Sequence, residues 1–466
     1  MKKSLVWLRR DIRVTDHTAL SAACAESDEV NLVFIFDQKI LEKLDKQDKR
    51  VTFIHDSIKE LHHDLDKAGG GINIYFGDPV EIITSLAKKL KVGKVFFNRD
   101  YEAYALNRDK AVTKSLKNND IDVATFRDHI VFEPKEVLKK DKTPYKVFTP
   151  FKRAWIERFK EEFSRGKSFK IDLKKISSSV QSDFTSNNWM KKMGFEHQEL
   201  LIPAGRSGAL KTMKNFQKHI IDYHKTRDLL EKNSTSGLSP YIRHGLLSIR
   251  EVLNLGLKDN LIVHDTFISE IIWREFYQMI LSNFPVVEKK SFKPQYDEIV
   301  WQGGAKEFNA WKNGQTGFPI IDAAMRCLND TGLMPNRLRM VTASFLCKTL
   351  LVDWKKGERY FADKLLDYDL ASNNGGWQWS SSSGCDSQPY FRIFNPLSQS
   401  QKFDPKGKFI RRWCPELFDL DDKQIHQPHA YGPLFLVEKS IEYPAPVVDY
   451  AQKRVEALDM YKTALK

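Results

Sequence analysis

At 466 residues the chain is longer than one hydrophobic core normally serves, so two domains are expected. Its 41% hydrophobic and 29% charged residues are those of a globular protein, and no apolar run reaches the roughly 18 residues needed to cross a bilayer. Five scattered cysteines (Cys24, Cys327, Cys347, Cys385, Cys414) without Cys-x-x-Cys spacing argue against a disulfide framework, a structural zinc site or an iron–sulfur cluster, while a net charge of +13 points to a polyanionic partner or substrate.

The first 126 residues alternate short apolar runs with amphipathic segments. Leu5–Leu8, Leu32–Phe36, Ile72–Phe76, Lys94–Phe97 and Ile121–Phe126 read as buried strands. The first of them is four apolar residues followed by Arg9 and Arg10, a strand rather than a secretory signal. Ile54, Ile58, Leu61 and Leu65 recur at helical spacing, as do Ile82, Ile83, Leu86 and Leu90. Strands alternating with helices predict a doubly wound parallel sheet. The turn after the first strand, Arg9-Arg10-Asp11, lacks the glycines of a dinucleotide fingerprint, and Gly69-Gly70-Gly71 precedes a strand, so it reads as a helix-ending loop. Ligand binding in the Rossmann manner is therefore not expected here.

Residues 127 to about 200, with Pro144, Pro150, many lysines and Ser177 to Ser179, read as an ordered crossover with a flexible middle. From about 205 the apolar spacing is helical throughout, as in Ile268, Ile271, Ile272, Phe276 and in Met340, Ala343, Ser344, Cys347.

Three constellations carry chemistry. Thr235-Ser236-Gly237-Leu238-Ser239-Pro240, between helical segments, is either a phosphate cradle or plain Ser/Thr helix capping. Glu270, Trp273, Arg274 and Tyr277 fall on one helical stripe, with Ile271 and Ile272 turned to the core. Acid, indole, guanidinium and phenol on one stripe suit a pocket rim that stacks a base, or else a helix covering an interface. Asn373-Asn374-Gly375-Gly376-Trp377-Gln378-Trp379 follows Asp367-Tyr368-Asp369, and with Arg337 and Arg339 it reads as a pocket for a bulky aromatic dinucleotide, the alternative being a tight turn in a core. Seven of the ten tryptophans lie in the last 200 residues. Basic residues interleave with aromatics in Pro389–Arg392 and Lys402–Trp413, including Lys406, Lys408, Arg411 and Arg412, either a phosphate-tracking surface or a solvated basic face.

These residues resemble the photolyase/cryptochrome family and, within it, class I bacterial cyclobutane pyrimidine dimer DNA photolyases. The similarity runs from Val6–Asp11 through Tyr145–Phe151 to Ile410–Trp413, with Thr235–Ser239, Glu270–Tyr277, Asn336–Met340 and Asn373–Trp379 in order. It implies an antenna-binding α/β domain (1–130), a connector (131–204) and an all-α catalytic domain (205–466) that binds flavin adenine dinucleotide (FAD). By the same resemblance Tyr223, Thr235 to Ser239, Phe267, Asn336, Arg339, Asp367, Tyr368, Asp369 and Asn373 hold FAD. Glu270, Trp273, Met340 and Asn373 serve the lesion. Arg227, Glu270, Trp273, Arg274, Tyr277, Asn336, Arg337, Trp379, Arg392 and Ser398 contact DNA. Trp377, Trp354 and Trp301 form a photoreduction relay.

The resemblance further implies a cytoplasmic, nucleoid-associated monomer acting on ultraviolet-damaged DNA without membrane, metal or obligate protein partner. Pro335 before Asn336-Arg337, with no histidine in that block, favours the cyclobutane dimer over the (6-4) lesion. Tyr104-Ala105 stands where folate-binding members carry Asn-Glu. Arg50, Asp100, Glu102 and Arg108 therefore suggest an 8-hydroxy-deazaflavin or flavin mononucleotide antenna ahead of methenyltetrahydrofolate, an empty site being the alternative. A cryptochrome-type blue-light receptor is the alternative, although residues 414–466 carry no long low-complexity tail of the kind signalling members append.

Overall fold

The computed structural model describes residues 1–163, 169–180, 188–232, 234–258 and 261–465. The chain forms two compact units that do not follow it as two consecutive blocks. One comprises Met1–Pro144, Thr149–Ile220 and Ser236–Asn283; the other comprises Tyr145–Phe148, Ile221–Thr235 and Phe284–Lys466.

The first unit is built on five parallel strands, β1 (Lys3–Leu8), β2 (Glu29–Asp37), β3 (Ile72–Gly77), β4 (Lys94–Asn98) and β5 (Asp122–Phe126), in the order β3-β2-β1-β4-β5. All five expected strands are present. The runs of β1, β2 and β4 are continuously buried because both faces are covered, whereas β5, at the sheet edge, has no buried residue and Phe76 of β3 is exposed, so those two are not the buried strands expected. On one face Leu5 and Trp7 of β1, Val33 and Ile35 of β2, and Val95 and Phe97 of β4 pack with Ile83, Leu86, Val112 and Leu116. Those last four come from helices α3 (Pro79–Lys89) and α4 (Ala103–Lys117). The intervening residues Val6, Leu32, Phe34 and Phe96 point to the opposite face and are equally buried.

Helix α2 (Lys49–Lys67) carries Ile58, Leu61 and Leu65 inward and ends as the glycine run suggested. Gly69 adopts φ +79, and the Gly70 amide donates to the Leu65 carbonyl at 2.9 Å. Helix α1 (Thr18–Glu26) left no periodic signal, because its buried residues are the small Ala19, Ala23 and Cys24 beside Leu20.

The connector is more structured than its composition suggests. It contains a 16-residue helix, Phe148–Phe163, and the Ser177 amide donates to the Val30 carbonyl at 2.9 Å. Part of the expected flexible middle lies outside the described residues. After residue 205 the regular elements among the described residues are helices, apart from a two-stranded ribbon, β6 (Leu257–Lys258) and β7 (Leu261–Ile262).

The second unit is helical around one large apolar cluster that includes Trp311, Phe345, Trp354, Phe361 and Trp377. Among the described residues no helix is long and apolar enough to cross a membrane.

Candidate active site and chromophore surfaces

Helix α5 (Asp265–Asn283), in the first unit, forms because Phe267, Ile268, Ile271, Ile272, Phe276 and Met279 recur at three- and four-residue spacing and are all buried. Glu270, Trp273, Arg274 and Tyr277 lie half-buried along another stripe. The Trp273 ring sits 5.5 Å from Tyr277 and 5.6 Å from Phe276. One arm of Arg274 donates to the His129 carbonyl at 2.7 Å, and Phe267 packs on Phe216 at 5.0 Å.

Glu275 carries no signal of its own in the sequence, although it falls three and four residues after Ile272 and Ile271, on the core side. Its carboxylate accepts from the Val131 and Phe132 amides and from the Trp155 indole N–H, each at 2.8 Å. Burial pushes this carboxyl up to about 7, against the lowering effect of those three donors and Arg274.

The phosphate-cradle candidate is divided, with Thr235 in the second unit and Ser236 onward in the first. Helix Ser239–Arg243 is capped by Leu238 without a side-chain bond, so the plain capping alternative does not hold. Gly237 adopts φ +63, a conformation costly for other residues. Thr235 and Ser239 are exposed and Leu238 is buried. In the second unit the Arg227 guanidinium lies 5.9 Å over the half-buried Tyr223 ring.

Three helices of the second unit gather most of the remaining residues: α6 (Asn336–Lys348), α7 (Trp354–Lys364) and α8 (Leu370–Ser380). Arg339 spans Asp367 with 3.0 and 2.9 Å bonds and also donates to the Met334 carbonyl at 2.8 Å. Asp367 is buried, and Tyr368 beside it is half-buried. Arg337 pairs with Asp228 at 2.6 Å and stacks 4.5 Å over Phe403. Asn336 is exposed, and Met340 one turn later is half-buried.

Asp369 caps α8 by accepting from the Ser372 amide at 3.1 Å, so Asn373–Trp379 is helix, and the tight-turn alternative is wrong. Helical spacing then separates residues that looked equivalent. Asn374 and Gln378 turn inward and hold the Val287 carbonyl, each at 2.9 Å, while the Phe292 amide donates to Gln378. They are structural, not a ligand wall. Asn373 instead donates to the Glu358 carbonyl and carboxylate at 3.0 and 2.8 Å. Glu358, unremarked in the sequence, is pushed up by burial, and the Asn373 bond opposes the shift.

Gly375 and Gly376 sit inside α8, where glycine costs about 1 kcal/mol relative to alanine. A Cβ at Gly376 would meet nothing within 4 Å, so packing does not explain it. The helix backbone is left bare toward open space beside half-buried Trp379, a surface a flat ring can approach closely.

Trp377 and Trp354 belong to one buried cluster, and Trp301 packs against it. Trp377 meets Phe361 edge-on at 5.0 Å, and its buried indole nitrogen has no hydrogen-bond partner among the described residues. A Cβ on Gly357 would lie 2.1 Å from the Trp377 ring. Gly357→Ala is therefore expected to cost about 1–3 kcal/mol in urea unfolding and to shift tryptophan fluorescence.

The basic surface is only partly free for phosphates. Arg411 is consumed by the carbonyls of Lys406, Phe418 and Leu420, a correction to its reading as a phosphate ligand. Lys402, Lys406, Arg412, Arg392 and Ser398 are exposed, and Lys408 is 3.4 Å from Glu231. Lys348, also missed, is fully buried, donates to Ser382 Oγ at 2.8 Å and to the Arg392 carbonyl at 3.1 Å, and burial depresses its pKa to about 7.

In the first unit the strand order reverses between β1 and β4, where an open α/β sheet offers a crevice at its carboxyl edge. A small cleft lies there, lined by Arg9, Arg10, Arg99 and Asp100 among others. Arg10 reaches Asp100 at 3.2 Å and Glu102 at 2.9 Å, and Arg243 also bonds Glu102 at 2.9 Å. Together with the other charges around it, these arginines hold the Asp100 carboxyl well below the usual carboxylate range although burial works the other way. Arg108 lies 3.5 Å from Asp37 and 4.9 Å over Trp7, while Arg50 pairs with Asp48.

Two family models cover most of the chain. The model for the DNA photolyase domain matches residues 4–167, and that for the FAD binding domain of DNA photolyase matches 267–463. A deoxyribodipyrimidine photo-lyase from Buchnera aphidicola is 37% identical, with 100% of this chain and 98% of that protein covered.

The chain belongs to the DNA photolyase family.

As a photolyase-family enzyme it is a lyase with an FAD-binding domain. A bacterial class III photolyase from Agrobacterium tumefaciens superposes with a TM-score of 0.88 at 31% identity, covering 100% of this chain and 98% of that one. An archaeal photolyase from Sulfolobus tokodaii with two FAD molecules gives 0.82 at 32%, covering 99% and 100%. A Synechocystis cryptochrome gives 0.86 at 25%, covering 99% of each. In this photolyase the residues from Phe267 to Ser398 assigned above lie inside the FAD-binding match, Tyr223 to Ser239 lie before it, and Arg50, Asp100, Glu102 and Arg108 lie inside the other.

Proposed function

We propose that this protein repairs cyclobutane pyrimidine dimers in DNA, driven by light. Bound reduced FAD, once excited, would supply the electron that splits the dimer and take it back afterwards. The observation that carries the reading is the half-buried stripe Glu270–Trp273–Arg274–Tyr277 on a helix whose buried side is mostly apolar, with Glu275 and Gln278 the polar residues in it. Trp273 stacks an extruded base, Glu270 accepts a hydrogen bond from it, and Met340 packs beside the lesion. Arg274, Tyr277, Asn336, Trp379 and Ser398 line the DNA path, with Arg227, Arg337 and Arg392 meeting phosphates.

The donor set fits a flavin dinucleotide. Tyr223 and Thr235 to Ser239 attend its diphosphate side, and Phe267 packs against it. The Arg339–Asp367 pair, Tyr368 and Asp369 attend the ring system, and Asn373, steadied by Glu358, faces the ring edge. The bare backbone at Gly376 is compatible with a planar group in van der Waals contact.

Trp377, Trp354 and Trp301 carry electrons inward to restore the reduced cofactor. Trp377→Phe is expected to slow photoreduction while leaving repair by chemically pre-reduced protein unchanged; loss of both would remove the relay assignment. Base stacking is worth roughly 1–3 kcal/mol. Trp273→Ala should thus weaken binding of dimer-containing DNA by about 10- to 100-fold, with undamaged DNA affected little in a competition assay.

Arg50, Asp100, Glu102 and Arg108 form the candidate antenna region of residues 1–130, for a deazaflavin or flavin-type second chromophore. The two FAD molecules of the archaeal relative extend that range to FAD itself. An absorption spectrum of the purified protein identifies both chromophores. The deciding experiment measures recovery of the thymine absorbance of ultraviolet-irradiated oligothymidylate by the reduced protein. Recovery under blue light but not in darkness supports repair, and a flat trace in both supports the cryptochrome reading.

A further inference from the structure

We propose that His55, Asp56 and His197 form a binding site for one divalent transition-metal ion of the zinc class, distinct from every residue assigned to flavin, lesion or antenna. His55 and Asp56 are neighbours on α2, and His197 comes from the connector, 141 residues from Asp56. His55 Nδ1 lies 2.8 Å from Asp56 Oδ1, and His197 Nε2 lies 3.0 Å from Asp56 Oδ2. One donor atom from each of the three residues falls within 4.8 Å of the others. The two imidazole rings are 6.2 Å apart and inclined at 82°, so they converge on the carboxylate instead of stacking on each other.

Two neutral imidazole nitrogens and one carboxylate oxygen form a borderline donor set, suited to zinc or copper and unsuited to magnesium or calcium, which take oxygen shells. In a tetrahedral site with bonds of about 2.0–2.1 Å, neighbouring donors sit roughly 3.3 Å apart. The two spacings to Asp56, 2.8 and 3.0 Å, are close to that value, and the His197 side chain, 55% exposed, has room to set the distance between the two imidazoles. Solvent can reach the site, so water can supply the fourth ligand.

The strand of connector that bears His197 is already fastened to α2 and the turn before it. Glu196 N donates to the Lys46 carbonyl at 2.8 Å and Gln198 N to Thr52 Oγ1 at 3.1 Å. The Gln47 side chain bonds Glu196 at 2.8 Å, and Lys49 bonds the Glu199 carbonyl at 3.1 Å. Folding has therefore brought the third ligand to the other two before any ion arrives, and binding does not have to order it. An ion here would act as a staple between α2 and the connector. The five cysteines are all buried, so no surface thiolate competes for the ion.

The test uses the full-length flavoprotein, freed of metals by chelation, titrated with zinc chloride against a chromophoric chelator. One equivalent should bind and raise the thermal midpoint. His197→Ala and Asp56→Asn should each weaken zinc binding at least about tenfold, whereas His219→Ala, a histidine elsewhere on the surface, should leave it unchanged. Copper(II) loaded at the same stoichiometry should give an electron paramagnetic resonance spectrum with coupling to two nitrogens in the wild type and one in His197→Ala. Circular dichroism and flavin content establish that each variant is folded. Zinc affinity of His197→Ala equal to wild type, or no stoichiometric binding by wild type, overturns the site and leaves only an ion pair. Neither result bears on the repair assay.

Discussion

Asp128→Ala is expected to lower the unfolding free energy by about 3–5 kcal/mol, the loss typical of removing one partner from a buried charge group. Asp128 is 1% exposed and accepts from Arg13 at 2.6 Å, Arg250 at 2.9 Å and the Thr18 hydroxyl at 3.0 Å. Arg13 is also buried, with its remaining donors on the carbonyls of Thr15, Asp16 and Gly245, so deleting the carboxylate strands a guanidinium charge in the interior. Burial alone would raise the Asp128 carboxyl, yet Arg13, His17 and Arg250 hold it well below the usual range. The unfolded state therefore takes up the proton first on acidification. The stability from this group is complete above the ordinary carboxylate value near 3.8 and is lost as the pH falls below it. Urea titrations at several pH values should show that acid sensitivity in the wild type and a reduced slope in Asp128→Asn.

Glu275→Ala should cost at least about 3 kcal/mol, because three buried N–H donors lose their acceptor at once and each orphan costs roughly 1–3 kcal/mol, not fully additively. The consequence reaches the proposed lesion stripe, since Glu275 adjoins Arg274 and ties α5 to residues 131–132 and to Trp155. With its folded value raised to about 7 from 4.5, this carboxyl holds its proton more tightly in the folded state. Its contribution is therefore complete below about 4.5 and declines as the pH rises through about 7. Glu275→Gln, which cannot ionise, should abolish that part of the decline between about pH 4.5 and about 7 in denaturant titrations. An unchanged pH slope would show that the carboxylate is already ionised in the folded protein.

Much of the first unit was readable one strand at a time. Continuous apolar runs such as Leu32–Phe36 are what a parallel strand buried on both faces requires, and the run itself carries the information. Helix α1 was invisible for the opposite reason: small residues bury without leaving a period. The α5 stripe was legible because three-and-four spacing maps directly onto helix faces. The Asn373–Trp379 block was harder. Its two glycines suggested a turn, and only the Asp369 cap and the packing of Trp377, Asn374 and Gln378 make it a helix. That change of local geometry moves two carboxamides from a supposed ligand wall into structural service. Arg411 illustrates the same limit, since a basic residue among aromatics looks like a phosphate contact until its carbonyl partners are known.

Alternation of strand and helix patterns, the order of four motif blocks and the residue types on the α5 stripe are local properties of the chain. They were enough to assign the fold class and the family. Long-range pairing is not local. Asp128 with Arg13, Glu275 with Trp155, and His197 with Asp56 join residues 115, 120 and 141 positions apart. Which buried charge finds which partner depends on how the elements pack, because a charge withdrawn from water is tolerated only where a complementary group has been brought to meet it.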